Sequence, residues 1–385
     1  MTLRRSASLL ASGLLLACAT AGAPRRGAPA APGQPAAATT APAIPPAPAA
    51  PPRITYPPEE VKASPTDVEL EGKNDEELFA IGTAAYGAGE YARAAAAFAR
   101  LVDRYPSSRH EAAALFDAGL AYQHLEEWRL ALERFRALER KYEGPDALEA
   151  SFKIADCLYY LHELPEAHAR LEEILRREGL DPTLRIRALA QRGVLELEAG
   201  KAEEAERSFR LALGAWQGAS EEERLDPYYP SLAQYYLGET YRTWFRALPL
   251  DPSTGDEARL RQDLEHKAEM LLSAQGHYLR AIRMGDDRWA VAAGFRIGEL
   301  YDELRKQLLE APLPPGLDAE HAAAYRAELR RRVRVLAAKA ITAYEQTIAR
   351  ASRTGVDDLR FLADAQASLS RLEAALAEDA EPPRT

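Results

Sequence analysis

From Asn74 onward, apolar residues return every three or four positions and strand-like alternation is almost absent, a pattern that predicts helices. A longer period is laid over this short one. With Asp75 as position 1, Leu78, Ile81, Gly82, Ala85, Ala94, Phe98 and Pro106 occupy positions 4, 7, 8, 11, 20, 24 and 32. The same frame then recurs at nearly even intervals. Positions 8, 20 and 24 are filled next by Gly119, Ala131 and Phe135, then by Ala155, Ala167 and Leu171, then by Gly193, Ala205 and Phe209. Small residues at 8 and 20 let two paired helices approach closely, and the large residue at 24 fills the space towards the next copy.

Two further copies are stretched. Gly238 and Tyr241 take positions 8 and 11, but their second-helix counterparts arrive late, at Ala274, Tyr278 and Ala281. Gly298 and Tyr301 are matched by Ala340 and Tyr344, delayed further still. Both insertions fall at the tip between the helices, and each centres on a turn, "LPLDPSTGD" or "APLPPGLD", flanked by charged helix formers. The expectation is two long helical hairpins projecting side by side, the alternative being two disordered tip loops. A last helix, from about Val356 to Asp379, has the position of a solvating cap.

The segment "DEELFAIGTAAYGAGEYARAAAAFARLVDRYPSS" closely resembles the tetratricopeptide repeat, a pair of antiparallel helices. The resemblance spans about residues 75 to 350. It implies an all-α superhelical solenoid, here with two elongated C-terminal hairpins and a C-terminal capping helix.

Ahead of the repeats the pattern is different. Arg4 and Arg5 precede an apolar run from Ser6 to Ala17, which has the length of a secretory leader and is too short to span a bilayer. The junction "LLAC", Leu15 to Cys18, resembles the lipobox of bacterial lipoproteins, although Leu16 stands where a small residue is more usual. That resemblance implies cleavage before Cys18, diacylglycerol on its sulfur and acylation of its new amino group, which together make a stable anchor. Ala19 after the cysteine implies the outer membrane, at its periplasmic face. A secreted chain with an incidental cysteine is the alternative. From Pro24 to Pro58 the chain carries 12 of its 26 prolines and few charges, so it forms no core and reads either as an extended spacer or as a passive leader. The expected organisation is a signal peptide over 1–17, the lipidated cysteine and tether over 18–73, and four regular repeats over 74–217. Two extended hairpins over 218–354 and a cap with tail over 355–385 complete it.

A chain of 385 residues with a net charge of −10 carries an acidic body that disfavours nucleic acid as a partner. No second apolar run has the length of a membrane-spanning helix, so the body is expected to be soluble. Two cysteines make no disulfide framework, and Cys157 reads as a small buried apolar residue. No catalytic constellation, cofactor motif or metal site stands out. The closest histidines, His162 and His168, are six apart, and "GVLELEAGKA" lacks the spacing and the hydroxyl of a phosphate loop. The expectation is a protein that is not an enzyme and holds no cofactor.

In this repeat family, positions 5 and 12 of each first helix normally face the groove. Position 5 reads Phe79, Phe116, Phe152, Ala190, Tyr235, Phe295, and position 12 reads Tyr86, Gln123, Tyr159, Leu197, Arg242, Asp302. The candidate partner-binding residues are therefore Phe79, Tyr86, Phe116, Phe152, Tyr159, Tyr235 and Phe295, in a groove that begins aromatic and ends charged. Aromatic walls hold extended or helical peptides and also stack on sugar rings. The lysine and asparagine clamp of chaperone-binding members is absent, since Phe79, Thr83 and Phe116 stand in its place. Arg326, Arg330 and Arg334, four apart with Arg331 and Arg332 beside them, form a stripe that is either a solvated face or a contact for an anionic partner.

The phrase "AFARLVDRYPSS" and the alanine-rich helix after it are similar to repeats of envelope lipoproteins and periplasmic factors of the outer-membrane barrel-assembly and Tol–Pal systems. The stretched copies are similar to gliding-motility lipoproteins. These resemblances imply a lipid-anchored envelope scaffold for protein partners, a peptidoglycan- or glycan-binding module being the alternative.

Overall fold

The computed structural model describes residues 69–220, 226–356 and 359–378. The leader, Cys18 and the proline-rich tract up to residue 68 lie outside the described residues. Residues 69–73, assigned above to the tether, belong to the folded body. Leu70 is buried in one cluster with Leu78, Ala94 and Phe98. The Tyr105 hydroxyl donates to the Lys73 carbonyl at 2.9 Å, and Glu69 pairs with Arg93 at 2.5 Å. Burial of Leu70 and these two polar contacts hold the segment ahead of the first helix cap on the core.

Four regular hairpins come first: α1 (Asp75–Gly87) with α2 (Tyr91–Arg104), α3 (Glu111–His124) with α4 (Trp128–Lys141), α5 (Pro145–Tyr160) with α6 (Leu164–Leu175), and α7 (Pro182–Glu198) with α8 (Ala202–Gly218). Asn74 opens α1 with a capping box: its side chain accepts from the Glu77 N–H at 2.9 Å, and Glu77 accepts from the Asn74 N–H at 3.0 Å. The tight turn inside each hairpin places one residue in the left-handed region. These residues are Gly89, Glu126, His162 and Gly200, with φ of 77°, 60°, 60° and 76°. In each, the next N–H reaches back to close the helix, as Glu127 does to Tyr122 O at 2.9 Å.

The small-and-large frame is what holds each pair together. A Cβ added to Gly82, Gly119 or Gly193 would lie 2.5 Å from the ring of Phe98, Phe135 or Phe209 respectively, so the ring sits in the notch the glycine leaves. In the third hairpin the two frame positions hold Ala155 and Leu171, both buried in one core cluster, a larger notch residue paired with a smaller filler.

The stretched copies are continuous helices. The fifth hairpin pairs α9 (Tyr228–Ala247) with α10 (Glu257–Met284), and the sixth pairs α11 (Asp287–Glu310) with α12 (Ala319–Thr354). With 36 residues, α12 runs about 54 Å. The late pairing is the one the frame requires, since an added Cβ on Gly238 meets Tyr278 at 2.3 Å and one on Gly298 meets Tyr344 at 2.4 Å. The tips are short and capped. Asp251 and Asp256 accept backbone N–H groups around the turn Pro252–Thr254, and Asp318 accepts the His321 N–H at 2.9 Å. Buried Lys267 on α10 donates to the carbonyls of Phe245 at 2.7 Å and Leu248 at 2.5 Å, satisfying the open end of α9.

The arms are not separate rods. Leu264, Leu271, Leu300, Leu304, Leu329 and Leu336 belong to one core that runs from α9 to the cap, α13 (Leu359–Glu378), where Ala365 and Leu372 are buried. The expected polar end of the groove is used inside this assembly. Arg242, 2% exposed, pairs with Glu299 at 3.0 Å, with Glu239 at 3.7 Å and with Glu303. Asp302, likewise buried, pairs with Arg305, Lys306 and, on α13, Arg371 at 2.8 Å. Among the described residues, no helix is long and apolar enough to cross a membrane.

Candidate interaction groove

The first helices of successive hairpins line a concave groove of about 820 Å³. One wall comes from the early repeats. Trp128 and Tyr160 stack with centroids 4.0 Å apart, Tyr159 meets Tyr160 edge-on at 5.2 Å, and the Tyr86 hydroxyl is 3.0 Å from His124 Nε2. Tyr160 is 52% exposed, a large aromatic face open to the groove. The opposite wall comes from α9 and the start of α11. Tyr228 and Tyr229 pack edge-on at 4.9 Å, and Trp289 lies 5.8 Å from both Tyr228 and Tyr236.

Between the walls the floor is polar. Gln191 donates to Asp156 Oδ1 at 2.8 Å. Burial raises the Asp156 carboxyl to about 6, against the opposing pull of Lys153 and Arg187. Arg187 is buried, pairs with Glu149 at 2.6 Å, and lies 4.0 Å over the ring of Phe152. Lys153 reaches the groove one turn from Asp156. Aromatic faces beside two carboxylates, Asp156 and Asp226, and the cations Lys153, Arg187 and Arg288 suit a ligand that carries both apolar and charged groups.

The seven expected groove residues divide. Tyr86 and Tyr159 line the groove. Phe152, Tyr235 and Phe295 are 0%, 3% and 4% exposed, core positions closed to a partner, which corrects the expectation. Phe79 and Phe116 are half-buried. Four of the five aromatic position-5 residues share one reason, the position-5 ring packing on the position-24 ring of its own hairpin; Phe152, whose hairpin has Leu171 there, is covered instead by Arg187. The centroid distances are 5.8 Å for Phe79 and Phe98, 5.6 Å for Phe116 and Phe135, 5.8 Å for Tyr235 and Tyr278, and 5.8 Å for Phe295 and Tyr344. Position 5 lies one turn before the notch at 8, on the face turned towards the second helix.

Groove residues that the frame missed stand at positions 2, 6, 9 and 13: Arg187, Gln191, Asp156 and Tyr160. The clustered tyrosines at 159–160 and 228–229, with Tyr236 two turns on, were the available signal. Arg242 and Asp302 leave the groove for the interior ion pairs. Arg326, Arg330 and Arg334 are exposed along α12 and make no ion pair with a described residue, whereas Arg331 and Arg332 both pair with Glu328. Burial pushes the Cys157 thiol up to about 12, as expected of a packing residue. Among the described residues, no three His, Cys, Asp or Glu side chains cluster as metal ligands would.

The family model for the tetratricopeptide repeat matches residues 78–108, the first hairpin from the middle of α1 through α2. The chain carries a tetratricopeptide repeat. The notch-and-ring contact of that repeat recurs through α12, so the whole is an all-α tetratricopeptide-type solenoid ending in two elongated hairpins and a cap. Among solved structures, the apo form of RapI is 12% identical, covering 79% of this chain and 99% of its own, with a TM-score of 0.46. MamA is 14% identical, covering 52% of this chain and 97% of its own, with a TM-score of 0.35. A tetratricopeptide-repeat protein from Bacteroides fragilis is 15% identical, covering 60% and 98%, with a TM-score of 0.29. Comparison with curated proteins returned no match.

Proposed function

We propose that this chain is a lipid-anchored scaffold of the bacterial cell envelope that holds a segment of a protein partner in its concave tetratricopeptide groove. The observation that carries the binding role is the convergence of Tyr86, Trp128, Tyr160, Tyr228 and Trp289, from both ends of the array, on one groove with a polar floor. Aromatic faces bury apolar side chains of an extended or helical peptide, and Asp156, Lys153 and Gln191 supply charge and hydrogen bonds to orient it. The envelope role rests on the N-terminal sequence: two arginines, an apolar segment of secretory length and Cys18 at a lipobox-like junction. Its place is the periplasmic face of the outer membrane.

The binding role is tested by photo-crosslinking from position 160 in the native envelope, with adducts identified by mass spectrometry. A discrete protein adduct is expected, and it should vanish when Trp128 is replaced by alanine. Adducts to wall fragments alone would overturn the protein scaffold in favour of a glycan-binding module. The anchor is tested separately by fatty-acid labelling: Cys18→Ala is expected to lose the label, and a labelled variant refutes lipidation at that residue.

A further inference from the structure

A second trough lies away from the concave groove, between the two long second helices. α10 and α12 both pack against α11 and leave between them a furrow of about 690 Å³. Leu279 and Ile282 of α10 form one wall, and Val335, Ala338, Thr342 and Ala349 of α12 form the other. Ala290, Gly294 and Ile297 of α11 make the floor, which is shallow because Gly294 lets α12 come close: an added Cβ there would lie 2.4 Å from Thr347 Oγ1. Leu279 and Val335 are 37% and 36% exposed, large apolar side chains left open along this face. The charged residues that line the furrow are Lys339, Arg350 and Arg353, all cationic, in a chain whose net charge is −10. Arg350 is held by Asp287 at 2.9 Å and Lys339 lies 5.1 Å over the Tyr301 ring, whereas Arg353 is exposed with no ion pair to a described residue.

We infer that this furrow docks an amphipathic α-helix of a partner protein whose apolar stripe is flanked by acidic residues. Three observations select that occupant. The walls are helices with their backbone groups already paired, so an extended segment entering here would leave its own N–H and C=O groups without partners, and a helix would not. The lining on α12 runs from Val335 to Arg353, about 27 Å, which matches about 18 residues of helix. The small residues between the larger ones, Ala338, Thr342 and Ala349 on the α12 wall and Ala290 and Gly294 in the floor, permit the 8–10 Å axis separation of packed helices. Charge then fixes the flanks, since an apolar stripe bordered by Glu or Asp meets only cations among the lining residues. The site is separate from the concave groove, so its failure and that of the groove reading are distinguishable.

The probes are fluorescent helical peptides of about 18 residues with one leucine stripe, flanked by glutamates in one and lysines in the other, titrated by anisotropy against the full chain. The acid-flanked peptide is expected to bind about tenfold more tightly than the lysine-flanked one. The pair Lys339→Glu and Arg353→Glu should reverse that preference, and Thr342→Trp, at an exposed position in the furrow, should remove binding of both with the thermal midpoint unchanged. Equal binding of the two peptides, binding that survives Thr342→Trp, or equal binding of an acid-flanked peptide broken by a central proline would overturn the inference. A crosslinker at position 342 that captures another copy of this chain would overturn it too, by naming a different occupant.

Discussion

Replacing Gly238 by alanine adds one methyl group to the middle of α9, where propensity alone favours the change by about 1 kcal/mol. The structure predicts the opposite sign. The new Cβ would stand 2.3 Å from Tyr278 Cε1, 2.5 Å from Cδ1 and 2.8 Å from Cζ, against a normal approach of about 3.5–4.0 Å. The ring cannot swing aside cheaply. Tyr278 is fully buried, packs 5.8 Å from Tyr235, and its hydroxyl donates to Glu239 at 2.5 Å. Overpacking of this kind costs about 1–3 kcal/mol, and weakening the Glu239 bond adds about 1 kcal/mol, which leaves a net loss of about 1–3 kcal/mol after the propensity gain. The control is Gly214→Ala in α8, where nothing lies within 4 Å of the new methyl and a gain of about 0.5–1 kcal/mol is expected. Urea unfolding followed by circular dichroism reads both, as shifts of midpoint in opposite directions. A double-mutant cycle with Tyr278→Leu should show favourable coupling of about 1 kcal/mol or more, because the Ala and Leu pair already exists at Ala155 and Leu171. Midpoints for Gly238→Ala and Gly214→Ala that move together would refute the notch-and-ring account of how the hairpins hold.

Other expectations follow from the same contacts. Glu126→Gly and His162→Gly relieve a left-handed backbone at φ 60° and should each raise stability by about 0.5–1 kcal/mol, read in the same unfolding assay. Arg242→Ala leaves Glu239 and Glu299 to Arg296 and Glu303 to Arg246 and should cost about 2–3 kcal/mol, with loss of arm protection in hydrogen exchange as the sign that the defect is local. Asp156 is held near 6 in the folded chain, above its ordinary 3.8, so the folded state binds more protons between those values and loses stability as pH rises through that window. Asp156→Asn keeps the acceptor for Gln191 and removes the slope. Its advantage should grow from pH 4 to 6 and then level, at most about 3 kcal/mol and reduced to about 1–2 kcal/mol by water in the groove. A flat difference between the two proteins across that range would contradict the burial of this carboxyl.

The fold was legible because its signal is local and repeated. Gly238 with Tyr278 and Gly298 with Tyr344 stand at the right frame positions despite the long insertions between them, and helix formers fill the added length. The groove was less legible, because one residue along a helix turns a side chain by about 100° and the family frame does not say which aromatic is packing and which is offered. Phe152 and Tyr160 look alike as a pattern, yet one lies under Arg187 and the other is half exposed. The fate of Arg242 and Asp302 depended on partners in other helices far along the chain, Glu299, Glu303 and Arg371, and no short-range pattern carries such a pairing.

Those long-range ion pairs also explain why the molecule has two candidate surfaces instead of one continuous groove. In the early repeats the first helices also meet through polar pairs, Arg187 with Glu149 and Gln191 with Asp156, but leave Tyr86, Tyr159 and Tyr160 on the groove. From α9 on, the corresponding row is taken up in joining neighbours: Arg242 and Arg246 of α9 bind Glu303 of α11, and Arg296 of α11 binds Glu239 of α9 at 3.2 Å. Buried or half-buried charges matched this way have few groups left for a ligand, so the concave site ends near Trp289. The other face is set by the second helices. α10 and α12 both pack on α11 without closing over it and leave Leu279 and Val335 exposed beside Lys339 and Arg353. Binding that is lost with Trp128→Ala but not with Thr342→Trp, and a second interaction with the inverse dependence, is the behaviour these two faces require of the intact chain.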